Sequence, residues 1–463
     1  MNLRPDRTWQ LLIVLLSWFV TVLAHAAASP PFGPAPGSQL VLYRGATLID
    51  GTEAPARADM DVLVEGERIT RVFPDSTLDS TTANKARIVD LRGRYLLPGL
   101  IDSHVHLATP PNRRQAEAIL RRDVYGGVTA VRDMADDLRA VGDIARASLV
   151  GEIAGPDVYY AALMAGPDFF TDRRTVLVSA GGTPGQVPWL QAITEQSDIP
   201  SAVALARGTY ATAIKLYADL TPDLAARITS EAHRQHILVW AHATLYPAKP
   251  SEVVAAGVDV ISHACLLIRE SAAPAPRFTE PRAKVSLDAF TNGQNPALAR
   301  LFSDMIRRET ILDATVWTYG STAPTSATTP PLQPGACDDR VGGAITGQAY
   351  RAGVSIAAGT DSIAPAKDPW PDLFHELAAL VAHAGMPASA VLHSATLINA
   401  RATGQERDMG SIEAGKLANM VVLTRNPMDS IDNLASVVMT VKRGRVYKRS
   451  DFRRLRNGDI TDF

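Results

Sequence analysis

Apolar residues recur in short alternating segments at both ends of the chain. The runs Leu40-Val41-Leu42-Tyr43, Val62-Leu63-Val64, Ile69-Thr70-Arg71-Val72 and Ile88-Val89-Asp90-Leu91 are separated by Asp50-Gly51 and Glu65-Gly66. Alternation bounded by turn residues predicts strands and hairpins. The pattern returns at 420–423, 437–441 and 445–447, with Arg443-Gly444 as the turn. Two strand-rich ends flanking one middle predict a small β-sandwich domain built from both termini. The middle reads differently. Apolar runs at 130–132, 158–160, 213–216, 238–241, 258–261, 311–314 and 355–358 alternate with helical stretches that include 114–124, 221–235, 296–308 and 341–352. Strand–helix alternation over about 300 residues predicts a (β/α)8 TIM-like barrel, with any active site at the C-terminal ends of its strands. The expected boundaries are a leader at 1–28, the first part of the β-sandwich at 29–98, the barrel at 99–399 and the second part of the sandwich at 400–463.

The leader reads as an export signal. Arg4 and Arg7 precede an apolar run from Leu11 to Ala24, and Ala24-His25-Ala26 fits a small-x-small cleavage pattern. The run is shorter than the roughly 20 apolar residues that a membrane-spanning helix needs. The expectation is a cleaved leader, a secreted or periplasmic protein, and no membrane association after cleavage.

Composition removes several function classes. Across 463 residues, 46 Lys and Arg balance against 48 Asp and Glu for a net charge of −2. That balance lacks the basic excess of a nucleic-acid binder. Hydrophobic residues at 46% and charged residues at 20% exclude general disorder. The two cysteines, Cys265 and Cys337, are too few for a disulfide framework or a zinc motif, though they can make one bridge.

Polar residues at the predicted strand ends carry the chemistry. His104 and His106 end the run Leu100-Ile101-Asp102-Ser103-His104-Val105-His106. Residues i and i+2 of a strand share a face, so the two imidazoles can share one metal. Lys215 lies inside the apolar run Ala213-Ile214-Lys215-Leu216, where a buried cation is expensive. It either snorkels to water or is carboxylated to an anion able to bridge two metals. His242 and His263 each follow an apolar strand, and Asp361 ends Ala358-Gly359-Thr360-Asp361. Each alone is as readily a core histidine or a capping aspartate. Together, in this order and all at strand C-termini, they predict one metal site.

In this order the chain resembles the amidohydrolase superfamily, more narrowly its imidazolonepropionase-like and Xaa-Pro-dipeptidase-like branch. Further matches are Leu97-Pro98-Gly99-Leu100-Ile101-Asp102, Gly359-Thr360-Asp361, His375-Glu376-Leu377 and the stretch from Gly410 to Asn419, where Ala414 and Asn419 depart from the usual Pro and Asp. The resemblance implies that His104, His106 and Asp361 hold one divalent metal, that His242 and His263 hold a second, and that carboxylated Lys215 bridges them. The metal it implies is usually zinc, although these donors also accept iron, manganese or cobalt.

Such a pair of cations would yield a bridging hydroxide near neutral pH. Asp361 would accept its proton and return it to a leaving nitrogen. The expected function is an exported amidohydrolase cleaving an amide-type C–N bond in a dipeptide, an N-acyl amino acid or a cyclic amide. Lactone or ester hydrolysis at the same site, and a non-catalytic binding protein on the same fold, stand as alternatives. The partner is a small-molecule or dipeptide substrate, and a homo-oligomer is left open. Tyr246 is the candidate oxyanion donor, ahead of Tyr217. His375 is expected at the site's periphery, and His233, His236, His383 and His393 are read as structural or solvated. Loops 164–190, 266–295 and 320–340 should set selectivity. They include Arg173, Arg174, Arg269, Arg277 and Arg282, any of which could hold a substrate carboxylate.

Overall fold

The computed structural model describes residues 30–75, 84–271, 277–281, 285–320, 337–362 and 368–455. The expected leader, Arg282 and most of the 320–340 loop lie outside the described residues. Eight parallel strands form the middle of the chain: Leu100–Val105, Val128–Met134, Asp157–Ala165, Ala213–Leu216, Leu238–His242, Val260–Ser262, Ile311–Asp313 and Ile356–Ala357. Each pairs in parallel with the next. The first and eighth are joined by backbone bonds from Ser103 to Ala358, from Asp361 to His104 and from His106 to Ser362. The Asn399 side chain reinforces this seam, donating to Ile101 O (2.6 Å) and Ala358 O (2.7 Å) and accepting from Ala358 N–H (2.9 Å). The predicted TIM-like barrel is the observed fold.

Helices pack outside the barrel for reasons visible locally. Pro296–Arg308 begins with Asn295, whose side chain accepts from the Ala297 and Leu298 amides, and has Pro at its first turn. It buries Leu298, Leu301, Phe302 and Met305 on one face and carries Arg307 and Arg308 in its last turn, where cations oppose the helix dipole. Pro222–Arg234 repeats the scheme, with Thr221 as cap. At the barrel floor the Arg132 guanidinium lies 4.4 Å from the Trp240 ring, and both side chains donate to Ala402 O.

The chain ends share one sheet, ordered Arg445–Lys448, Val437–Lys442, Met420–Leu423, Tyr95–Pro98, Leu40–Leu48, Arg57–Glu65 and Arg68–Pro74, with Arg87–Asp90 paired in parallel to Leu40–Leu48. Val41, Tyr43, Met60, Val62, Met420 and Val441 form a core separate from the barrel's. Tyr95–Pro98, absent from the sequence-based strands, leads through Gly99 directly into the first barrel strand. Sheet and barrel are clasped by buried charges. Lys442 Nζ is 2.9 Å from Asp157 Oδ1, Arg443 Nε is 2.9 Å from Asp157 Oδ2, and Arg443 also reaches Glu67. Cys265 and Cys337 form a disulfide that ties the residues after the sixth strand to the start of the helix Asp339–Ala352.

Removing one partner of a buried pair strands the other charge without water. Asp157→Asn should therefore cost about 3–5 kcal/mol of stability, read by chemical denaturation. A loss under about 1 kcal/mol, the worth of an exposed pair, would contradict the clasp.

Candidate metal centre

The barrel ends bring the predicted residues to one pocket. His104 is fully buried in the first strand, and His106 follows that strand on the same side. Asp361 sits just beyond the eighth strand, held by its amide's 2.8 Å bond to His104 O. Its Oδ1 is 3.3 Å from His104 Nε2 and 3.3 Å from His106 Nε2. Donor atoms of these three residues all lie within 4.8 Å of one another. Lys215, only 1% exposed, points its Nζ at His104 Nε2 over 3.3 Å. His263 Nδ1 lies 3.9 Å from Asp361 Oδ2, and its ring is 5.1 Å from that of His104. His242 stands edge-on to His263 at 4.6 Å between ring centres and packs against Tyr217 at 3.9 Å. It joins the cluster through His263 and lies outside the tight His104–His106–Asp361 group.

Backbone conformation aims these side chains. His263 (φ 76°), Asp361 (φ 51°) and Thr315 (φ 46°) are left-handed, a region that non-glycine residues enter at a cost. All three follow barrel strands, where such a kink turns a side chain inward over the barrel mouth. Gly359 is required by proximity. A Cβ there would fall 2.4 Å from Asp313 Oδ1 and 2.5 Å from His104 Cβ.

A ring of buried partners fixes the imidazoles. His104 Nδ1 bonds Asp313 Oδ2 at 2.6 Å, and His106 Nδ1 bonds Asp136 Oδ1 at 2.7 Å. Asp136 also accepts from Ala108 N–H and the Thr109 hydroxyl. Each bond occupies Nδ1 and turns Nε2 inward, the arrangement that orients metal-binding histidines. His263 Nδ1 meets Thr315 Oγ1 at 2.9 Å. Asp136, Asp313 and Thr315 were not singled out from sequence. Asp313, an acid inside the apolar run Ile311-Leu312-Asp313-Ala314, carried the same signal as Lys215.

Electrostatics follow from burial. Loss of water holds His104 and His242 well below the ordinary histidine range and pushes His263 down to about 3. Burial also lowers Lys215. His106 goes the other way, to about 9: burial lowers it, but Asp136 and Asp361 together outweigh burial. For Asp361 burial opposes ionisation, but the surrounding imidazoles win and keep it a carboxylate. The uncharged imidazoles of His104, His242 and His263 and the Asp361 carboxylate, with His106 and the buried Lys215 amine beside them, form a donor set that suits a divalent cation.

The Tyr246 hydroxyl is closed off from solvent. Tyr217 keeps partial exposure, and its hydroxyl is 3.3 Å from Arg174, which is also held by Asp172. His375 is half-exposed and stacks on Trp317 at 5.3 Å. Its neighbour Glu376 is fully buried and accepts from the Val316 and Trp317 amides at 3.1 and 2.7 Å. His233 pairs with Asp259, and His393 bonds Gly51 O.

This architecture matches known structures over nearly its whole length. A Xaa-Pro dipeptidase with methionine bound in its active site superposes with a TM-score of 0.67 at 21% identity, covering 89% of this chain and 100% of that one. At that identity the likeness establishes the fold. A sequence profile described as the amidohydrolase family matches residues 340–447. Over those residues the chain is similar to the amidohydrolase family. Curated relatives match the chain over short stretches. A dihydroorotase from Pediococcus pentosaceus is 34% identical over 76 residues, 16% of this chain and 17% of the relative. An N-acyl-D-aspartate deacylase from Alcaligenes xylosoxydans xylosoxydans is 42% identical over 72 residues, 16% and 13% respectively. The matched part thus spans about a sixth or less of each of these two relatives.

Two outcomes follow. Asp136→Ala should weaken zinc affinity by about 10–100-fold through loss of the His106 anchor. Competition with a chromophoric chelator measures this, and unchanged affinity would contradict the anchoring. Burial pushes Glu376 up to about 8 against its two amide donors. An acid whose pKa rises on folding binds more protons folded than unfolded, so its contribution to stability is lost as pH climbs from the ordinary carboxylate range towards 8. Glu376→Gln should flatten that loss in denaturation curves taken at pH 5, 7 and 8.5. Parallel curves for both proteins would contradict it.

Proposed function

We propose that this protein is an exported, metal-dependent amidohydrolase that cleaves an amide-type C–N bond in a dipeptide, an N-acyl amino acid or a cyclic amide. The observation that carries the reading is the meeting of His104, His106, Lys215, His263 and Asp361 at the barrel mouth, with His242 beside His263. His104, His106 and Asp361 would hold one ion, and His242 and His263 a second. Lys215, carboxylated on Nζ, would lie between them. Burial favours its uncharged amine, the form that adds carbon dioxide with release of one proton. Zinc, the expected ion, would supply Lewis acidity that polarises a carbonyl and lowers the pKa of bound water.

The chain's own residues then define the reaction. Asp361 is a carboxylate at the centre of the donors, so it can take a proton from the attacking water and deliver it to the leaving nitrogen. Buried imidazoles fixed by Asp313 and Asp136 keep the pocket geometry unchanged through that transfer. The names of the neighbours support amide chemistry: a dipeptidase cleaves a linear amide, a dihydroorotase acts on a ring amide, and a deacylase removes an acyl group. Export is supported by the Leu11–Ala24 apolar run and by the Cys265–Cys337 disulfide, a bond that persists in oxidising compartments.

A screen of the zinc-loaded protein against dipeptides, N-acyl amino acids, cyclic amides and lactones tests the reading. Turnover of an amide, lost in Lys215→Ala and partly restored by added short-chain carboxylic acids, is the expected result. Activity confined to lactones, or full activity in Lys215→Ala, would overturn it.

A further inference from the structure

We propose that Tyr319, on the turn after the seventh barrel strand, donates the hydrogen bond that stabilises the oxyanion formed during amide cleavage. The inference deepens the hydrolase reading above and rests on it. Amide hydrolysis places a negative charge on the former carbonyl oxygen, and a donor aimed at that point in a dry pocket contributes more than any other single protein group. A tyrosine hydroxyl suits the task because it is protonated at neutral pH and can donate.

Three phenols approach the pocket. Tyr246 has its hydroxyl closed off from solvent, so a substrate entering the barrel mouth would not meet it. Tyr217 is committed, with its ring packed on His242 at 3.9 Å and its hydroxyl at 3.3 Å from Arg174. Tyr319 differs from both. Its ring stands perpendicular to that of His263, at an interplanar angle of 81° and 6.5 Å between centres. It keeps partial exposure, and no hydrogen bond to its hydroxyl occurs among the described residues.

The turn that carries it is unusually well fixed for a loop. Trp317–Tyr319 is a single helical turn closed by Gly320 N–H to Trp317 O. The buried Glu376 carboxyl group accepts the Val316 and Trp317 amides from beneath. Thr315, at the start of the same turn, bonds His263 Nδ1. The segment that presents the phenol is thereby tied to a proposed metal ligand on one side and to the helix Leu373–Ala384 on the other. Glu376 acts as a positioning residue, since it reaches the site only through the backbone it holds. A donor must be preorganised to help, and this bracing supplies that condition.

The test compares wild type, Tyr319→Phe and Tyr246→Phe, all zinc-loaded and with metal content measured. The probes are the best amide from the screen and the N-methylphosphonates of L-proline and L-phenylalanine, whose tetrahedral anions mimic the reacting centre. Tyr319→Phe should lower kcat by about 10²–10³-fold, the usual effect of losing one oxyanion donor, with KM and metal content little changed. It should weaken phosphonate binding in calorimetry without altering product binding. Retention of kcat and of phosphonate affinity within about threefold overturns the proposal, as does the large loss appearing in Tyr246→Phe instead. A wild type that neither cleaves an amide nor binds a phosphonate overturns the hydrolase reading itself.

Discussion

The seam between the first and eighth barrel strands is the constraint on which the site depends. His104 and His106 arrive on one side of it and Asp361 on the other, and the Asp361 amide bonds the His104 carbonyl directly. Without that pairing the carboxylate would have no fixed distance from either imidazole. Asn399 spans the same seam with three hydrogen bonds, and Gly359 admits the close approach of His104 and Asp313. Closing the barrel and assembling the donors are therefore one event.

That closure has an electrostatic consequence. It buries acids, imidazoles and a lysine together, where each charge costs far more than in water. The molecule answers by keeping most of the imidazoles uncharged, by lowering the pKa of the Lys215 amine and by concentrating negative charge on Asp361. The outer carboxylates Asp136 and Asp313 each hold one imidazole nitrogen, leaving the other free. A cluster left in this state has lone pairs and one anion facing inward, a poor arrangement by itself and a good one around a cation. The clasp of Lys442, Arg443, Asp157 and Glu67 lies apart from this site and bears on how the sheet is held to the barrel.

Much of this was readable in the chain because the informative residues break a local rule. Two histidines two apart at the end of an apolar strand, a lysine inside another and an acid after Gly359-Thr360 are all out of place in a core. The barrel followed from alternation, and the end sheet from hairpin signals at both termini. What stayed hidden was whatever depends on contact across the fold. Asp136, Thr315 and Tyr319 carry no local pattern that sets them apart from other polar residues beyond a strand. Glu376 was visible only as part of a motif whose histidine drew the attention, yet His375 lies half in solvent against Trp317 while Glu376 braces the turn. Tyr95–Pro98 escaped notice because a run leading into a longer strand carries no turn signal of its own.

The central claim is that the six groups surround a pair of cations. Anomalous diffraction from crystals of the zinc-loaded protein, recorded on both sides of the zinc edge, addresses it directly. The account predicts two peaks at the barrel mouth, one among His104, His106 and Asp361 and one beside His242 and His263, with density on Lys215 Nζ between them. Peaks elsewhere on the surface with none in this pocket would contradict it.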